Sequence, residues 1–320
     1  MRQKLINKET IQGYLYDFKL EAKKVQNKDS KNFGQEYIGG SIDVLTSEDG
    51  MNIVTVKYTY VTPKTAKGNA NKTYDTLLQI INSGKTVIKD GKENALKVKL
   101  ENVSLALNEF FSNRTGEKEL VSAKENNGGF ISIVSELDPN EEKRAKFECD
   151  MFITGYKDID GNEERGIQPH AEISGWAFNF KGDPLPVTFK IRSERGINYF
   201  SSLDINEHNP IFTLVRGVLN SSTRVYRKEI ESAWGETEVE EQVYTNKEWT
   251  VTSSLPETYP LDDAENGITP ADVAELKAAR EKTIAEIKAR QEAYEASKAG
   301  QADTFGGAAP VKAVNEKYSF

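Results

Sequence analysis

Alternating apolar and polar residues at 37–61 predict a β-hairpin. We expect the chain to be built around two copies of this kind of hairpin. The first arm, Ile38–Val44, alternates apolar residues with small or polar ones, and the second arm continues the pattern around Lys57. The dipeptide Asp49-Gly50 supplies a turn between the two arms. Period-two alternation of β-branched and aromatic residues is typical of strands with one buried face. We therefore expect an apolar buried face and an outer face that carries Lys57.

The neighbouring segments predict three more strands and one helix. A partly alternating strand is expected over residues 11–24, and two others over 95–111 and 120–134. The last of these strands contains a break or bulge at Asn126–Gly129. Residues 73–82 form a short helical pattern that is closed by a serine and a glycine. The order is three strands, a helix and two strands.

The same order of elements occurs a second time. The matched segments, with Gly175 set against Gly40, are 153–156 with 11–14, 171–180 with 37–44, 186–191 with 53–58, and 209–218 with 94–103. Residues 195–208 occupy the helix position, and the last strand is expected over 240–252. The residue matches are weak, so the element order carries the evidence for a repeat.

The composition changes after Pro256. A linker leads to a helix over residues 269–298, with Thr269 as its N-cap and a proline in its first turn. Its apolar stripe can pack on a domain or pair with another copy, while residues 300–320 are expected to be flexible. We expect a first domain at 1–148, a second at 149–255, and a linker, helix and tail at 256–320.

The composition predicts a cytoplasmic protein without a membrane segment. No apolar run reaches the ~20 residues that a membrane helix needs, and the N-terminus shows no secretion signal. Cys149 is the single cysteine, which excludes an intramolecular disulfide. The net charge is −8. Residues 51–100 nevertheless carry nine lysines against three acidic residues, a local charge of +6 that leaves room for a basic groove.

Five strands with a helix between the third and fourth resemble the OB-fold, a small Greek-key barrel. Two such units in tandem, followed by a linker and tail, resemble the single-stranded-DNA-binding proteins encoded by bacteriophages; the resemblance covers residues 10–255. It implies a mainly β chain of two tandem OB-fold-like five-stranded barrels, followed by a C-terminal helix and a flexible tail. It also implies a non-catalytic protein that coats and protects single-stranded DNA in replication, recombination and repair, in the host cytoplasm.

The family also recruits replication or recombination proteins through an acidic C-terminal tail with a hydrophobic tip. This chain ends in Phe320, but its last six residues are not acidic and so depart from that pattern.

The family holds its DNA on the second and third strands and their loops, here residues 36–72 and 171–195. Single-strand binding needs cations for phosphates and aromatic faces for bases. In the first repeat the candidates are Tyr37, Lys57, Lys64, Lys67 and Lys72. In the second repeat, Trp176, Phe178 and Phe180 are expected on the outer face, near Lys190, Arg192 and Arg195. A one-residue shift would instead place the three aromatic residues in the core. Tyr58 and Tyr60 are expected in the core.

Catalytic and metal sites are not expected. Two histidines and one cysteine give no ordinary zinc spacing, and no phosphate-binding GxxxxGK[ST] motif is present. Residues 158–164 resemble part of a calcium loop but are better explained as a hairpin turn. We therefore expect no cofactor and no enzymatic activity.

Two other functions remain open at this point. The first is a structural or virion assembly protein, with helix 269–298 as the contact of a homo-oligomer. The second is a sugar-binding β-module that stacks its aromatic residues on pyranose rings.

Overall fold

The computed structural model describes residues 5–113, 118–162, 167–230, 238–263, 265 and 267–302, and only the backbone of residues 222–230, 238–246 and 297–302. Of the flexible tail expected at 300–320, residues 300–302 instead continue the C-terminal helix, and residues 303–320 lie outside the described residues. Residues 163 and 164 of the calcium-like loop 158–164 lie outside them as well. The elements of the first half are β1 (Asn7–Lys24), β2 (Glu36–Leu45), β3 (Ile53–Val61), α1 (Lys72–Ser83), α2 (Val87–Asp90), β4 (Lys97–Ser112), β5 (Glu119–Asn127) and β6 (Phe130–Ile133). Those of the second half are a 3₁₀ turn (Glu141–Lys143), β7 (Ala145–Ile159), β8 (His170–Phe178), β9 (Pro184–Ile191), α3 (Glu194–Ser201), β10 (Ile211–Ile230), β11 (Glu238–Ser254) and α4 (Pro270–Ala302).

The first five strands close into a barrel. β1 pairs with β2, β2 with β3, β3 with β5 in parallel, β5 with β4, and β4 returns to β1. The expected break after β5 is present, because Gly128 and Gly129 both adopt positive φ angles there. The short strand β6 then continues the antiparallel pairing with β4 in the register of β5.

The second half repeats this closure strand for strand. β7 pairs with β8, β8 with β9, β9 with β11 in parallel, β11 with β10, and β10 returns to β7. The predicted fold class is therefore confirmed: the chain is mainly β, with two tandem OB-fold-like five-stranded barrels and a C-terminal helix.

The register of the two barrels confirms one sequence match and corrects another. The first strand of each barrel has a bulge, after Leu15 in β1 and after Ile153 in β7, and these bulges place Asp43 of β2 level with Ser174 of β8. Counted from there, Lys57, which pairs with Asn127, corresponds to Lys190, which pairs with Thr250. On β2, Ser41 is the partner of Lys57, whereas on β8 Glu172 is the partner of Lys190. Gly40 therefore corresponds to Ala171, and its match to Gly175 was wrong by four residues. Because four is an even number, the expected inner and outer faces are unchanged.

Helix α1 closes one end of the first barrel as its sequence predicts. The Asn71 side chain caps its first turn by accepting a hydrogen bond from Thr73 N, and Gly84 ends the helix in the left-handed conformation. Leu77 and Ile80 are fully buried against the barrel. The helix therefore fixes where the loop before it leaves β3.

The two barrels share one hydrophobic core because β1 of the first barrel pairs with β7 of the second. Its first residues pair with β7, from Asn7 opposite Cys149 to Ile11 opposite Ala145. A single buried cluster consequently extends from the first barrel into the second. Phe147 and Trp249 contribute the large side chains at this junction.

Glu9 is a buried carboxyl at the same junction. It pairs with Val103 on one side and Phe147 on the other, and its side chain accepts a hydrogen bond from Trp249 Nε1 at 3.2 Å. Its Oε2 atom has no hydrogen-bond partner among the described residues. Burial raises the pKa of Glu9 from its ordinary 4.5 to about 8, although the Trp249 hydrogen bond partly opposes this.

We predict that Glu9 makes the protein less stable as the pH rises from about 4.5 to about 8. In this range the unfolded chain loses the Glu9 proton while the folded chain retains it, so unfolding becomes easier by up to about 1.4 kcal/mol per pH unit. Glu9→Gln removes this contribution and retains an acceptor for Trp249. Thermal melts between pH 5 and 9 measure it, with the exposed Glu101→Gln as control. A stability difference between wild type and Glu9→Gln that does not change with pH contradicts the prediction.

Candidate nucleic-acid interface

A pair of tyrosines lies on the outer surface of the first barrel. The ring centroids of Tyr37 and Tyr60 are 4.8 Å apart with the planes tilted by 39°. Tyr60 is 41% exposed, and its hydroxyl donates a hydrogen bond to Gln35 Oε1 at 2.9 Å. The pair therefore presents a fixed aromatic surface to solvent.

A β-bulge explains why Tyr60 faces outward, contrary to the expectation that it lies in the core. Ile38 pairs with Val61 and Gly40 pairs with Tyr58, so two residues of β3 lie opposite Gly39. The extra residue breaks the alternation after Tyr58 and turns Tyr60 to the surface. Tyr58 itself is only 2% exposed, as expected.

The predicted lysine loop follows Tyr60 and is itself folded. A bridge between Lys64 and Ala70 makes a small hairpin whose turn contains Gly68 at positive φ. The Asn71 amide donates to the carbonyl of Thr62 and closes its base. Lys64, Lys67 and Lys72 are all exposed, and none forms an ion pair with a described residue. These three cations are therefore available to an anionic ligand.

The loop between β1 and β2 lies on the other side of the tyrosine pair. Two backbone hydrogen bonds close its base: Val25 N donates to the Gln35 carbonyl, and Gly34 N donates to the Val25 carbonyl. Phe33 is 54% exposed, and the same loop carries Lys28 and Lys31. Sequence reasoning missed Phe33, although an aromatic residue in a polar, lysine-containing turn was a usable signal. We call this surface the first-barrel face and define it by Phe33, Tyr37, Tyr60, Lys64 and Lys67.

Lys57 also lies on the outer side of β3, as predicted, but it is paired. Its ammonium group contacts the Glu125 carboxylate on β5. The Lys57 side chain remains 45% exposed, whereas that of Glu125 is 20% exposed.

The outer face of the second barrel has the predicted direction but is covered. Ala171, Ile173 and Ala177 face the barrel core, whereas Trp176 and Phe178 face away from it, so the one-residue shift does not occur. However, Phe178 is fully buried and Trp176 half-buried. The expectation that both are open to a ligand is therefore corrected.

A second hydrophobic cluster accounts for this burial. It contains Phe152, Phe178 and Phe212 from three strands, with Ile268 and Leu276 from the C-terminal segment packed over them. The Trp176 ring lies 5.7 Å from that of Phe152. Phe180, in the turn beyond β8, differs from the other two aromatic residues because it is 93% exposed.

The cations of the second barrel are mostly engaged within the protein. Lys190 and Arg192 each donate to Glu248 at 2.8 Å. Burial alone would raise the pKa of Glu248, but these hydrogen bonds and charges outweigh it and hold the pKa at about 2. Arg195 is exposed at the start of α3, beside a cavity of about 400 Å³ that Tyr199 and Leu255 help to line.

The first barrel reaches over this part of the second. Lys124 on β5 donates to the carbonyl of Thr188 on β9 at 2.7 Å, and its Nζ lies 4.9 Å from the centroid of the Trp249 ring. Burial, followed by the nearby charge of Lys190, lowers the pKa of Lys124 to about 8. The β4–β5 hairpin therefore occupies space above β9 that a ligand would need.

Helix α4 fastens the same hairpin from the other side. Arg280 forms a two-pronged ion pair with Glu109 on β4, and both side chains are largely buried. Further along, the Gln291 amide exchanges two hydrogen bonds of 2.8 Å with the backbone of Phe111. The helix thus holds the hairpin in place while its first turns cover Phe178.

Clustered metal-ligating side chains and membrane-spanning helices are both absent from the part of the chain that the structure describes. No group of three or more His, Cys, Asp or Glu residues is placed there to hold a metal ion. None of the helices there combines the length and the apolar character needed to cross a membrane.

Comparison with known proteins gives a family and a structural likeness. A family model described as YorF matches residues 6–290. No curated protein matches the chain. Among solved structures, a deletion and substitution variant of the single-stranded DNA binding protein from Thermus aquaticus shows a TM-score of 0.43 at 11% identity, over 81% of this chain and 99% of that chain.

We predict that Glu248→Gln lowers the free energy of unfolding by about 2 kcal/mol, the usual worth of hydrogen bonds to a charged group. The change leaves Lys190 and Arg192 without a carboxylate beside Lys124. Urea unfolding at neutral pH measures the loss. Because the pKa of Glu248 is lowered on folding, its contribution is present above pH 4.5 and disappears as the pH falls toward 2. Glu36→Gln, which removes an exposed pair with Lys24, is the control. Equal stability of the two variants contradicts the prediction.

Proposed function

We propose that this chain, which belongs to the YorF family, is a non-catalytic protein that binds single-stranded DNA on its first-barrel face. The observation that supports this most is the pair of the half-buried Tyr37 and the exposed Tyr60, whose strands lead into two lysine-bearing loops. Aromatic surfaces flanked by unpaired cations are what single strands require, because bases stack and phosphates need positive charge.

The chemistry of this face favours binding without sequence choice. Every base has a flat surface that can stack on Tyr37, Tyr60 or Phe33, whereas a duplex hides its bases. Lys64, Lys67 and Lys72 provide point charges for phosphates, and the ordered hairpin that carries the first two reduces the entropy lost on binding. The overall charge of −8 opposes indiscriminate coating of duplex DNA.

The second barrel acts mainly as a scaffold in this proposal. Trp176 and Phe178 contribute to a covered cluster, and Lys190 and Arg192 neutralise Glu248. Phe180 and Arg195 remain exposed and can extend the contact of a longer strand.

We further propose that the protein coats and protects single strands during replication, recombination and repair in the cytoplasm, as a bacteriophage-type protein would. The element order of the two barrels supports this assignment. Self-association through α4 and partner recruitment through the C-terminal tail stay predictions from the sequence.

Removing either tyrosine ring should weaken binding of a dT oligonucleotide roughly 5- to 150-fold, because one stacked base is worth about 1–3 kcal/mol. Fluorescence anisotropy at low salt measures the affinities of Tyr37→Ala and Tyr60→Ala. Phe130→Ala is the matched control, since Phe130 is 66% exposed on β6 and lies outside the first-barrel face. Wild-type affinity in both tyrosine variants would contradict the proposed site, and no binding by the wild type would contradict the function.

The double variant Lys64→Gln, Lys67→Gln should make binding less sensitive to salt. Each phosphate contact contributes about 0.7 to the slope of log affinity against log salt concentration for single strands, so the slope should fall by about 1.4. Titrations at four salt concentrations measure it. Lys99→Gln is the control because Lys99 lies on β4 and pairs with Glu101. An unchanged slope in the double variant argues against phosphate contacts at this hairpin.

A further inference from the structure

Each barrel has a narrow seam where its third and fifth strands meet. In the first barrel this parallel contact consists of Val56 with Asn126 and Lys57 with Asn127. In the second it consists of Lys190 with Thr250 and of the pair that follows it. With only two residue pairs, this is the shortest of the five strand contacts in either barrel.

A lysine–glutamate pair spans the seam in both barrels. Lys57 contacts Glu125, and Glu125 lies two residues before Asn127, the residue that pairs with Lys57 in the ladder. Lys190 contacts Glu248, and Glu248 lies two residues before Thr250, the residue that pairs with Lys190 in the ladder. The two pairs are therefore structurally equivalent, although most residues around them differ between the barrels.

The surroundings of the two pairs are unequal. In the second barrel the Glu248 side chain is 11% exposed, shares its charge with Arg192 as well, and lies near the covering Lys124. In the first barrel the Lys57 side chain is 45% exposed. A ligand can thus reach the first pair, whereas the second is largely enclosed.

The accessible pair lies next to the proposed DNA site. Lys57 precedes Tyr60 by three residues on the same strand, a distance of about 10 Å at ~3.3 Å per residue. A strand with one base on Tyr60 therefore carries a neighbouring phosphate toward Lys57. That phosphate meets an ammonium group already bound to the Glu125 carboxylate.

We infer that Glu125 sets the affinity for single-stranded DNA by competing with phosphate for Lys57. This rests on the proposed function and adds a regulating residue to its site. The incoming phosphate displaces the carboxylate from the ammonium group. Glu125 then takes up a cation from solution as the phosphate releases one, so Lys57 adds little to the salt dependence of the wild type. Binding is weaker and more readily reversed than the number of lysines suggests.

The test compares Glu125→Gln with wild type in the full chain, using a dT oligonucleotide and anisotropy titrations at several salt concentrations. Freeing Lys57 should raise the affinity roughly 2- to 5-fold, the worth of a half-exposed ion pair. The slope of log affinity against log salt should become steeper by about 0.7. The control is Glu101→Gln, which makes the same charge change and frees Lys99 on β4.

Equal affinity and slope in Glu125→Gln and Glu101→Gln would overturn the inference, because the pair would then only close the seam. If the wild type itself does not bind, the proposed function fails instead, and the two failures are distinguishable. The double variant Lys57→Gln, Glu125→Gln guards against an effect on folding. It should bind with the wild-type slope, and a slope as steep as that of Glu125→Gln alone would show that Lys57 is not the group set free.

Discussion

The pairing of β1 with β7 is the contact on which the arrangement of the molecule depends. It joins the sheets of the two barrels and merges their cores around Phe147, Trp249 and the buried Glu9. It also brings the β4–β5 hairpin of the first barrel over β9 of the second. Two barrels with the same strand order therefore have different surroundings, because the first reaches across the second.

This difference between the two barrels decides which of their outer faces is accessible to a ligand. The second barrel presents its aromatic residues outward, but the C-terminal segment with Ile268 and Leu276 covers Phe178, and Lys124 covers the region beside Glu248. The first barrel keeps Tyr60 exposed beside the half-buried Tyr37. A repeated fold thus yields one exposed aromatic face and one face used for internal packing. The equivalent pairs Lys57–Glu125 and Lys190–Glu248 reflect the same division: one accessible, one enclosed.

Local patterns in the sequence were enough to predict the strands, α1 and α4, because alternation and capping residues act over a few positions. The tandem order of elements likewise followed from the chain alone. Tyr60 was wrongly placed in the core because a single extra residue opposite Gly39 reverses the alternation. The burial of Phe178 and the pairing of Lys190 depend on Leu276 and Glu248, which are distant in sequence. Only the assembled fold brings these residues together.

The most direct test of this account is a hydrogen-exchange footprint of the full chain with and without a dT oligonucleotide. Single-strand binding confined to the first-barrel face predicts slower exchange in residues 25–37 and 57–72. It predicts unchanged exchange in residues 171–178 and 187–192, which are already covered by the rest of the chain. Protection of the second barrel at these residues, with none around Tyr37 and Tyr60, would contradict the account.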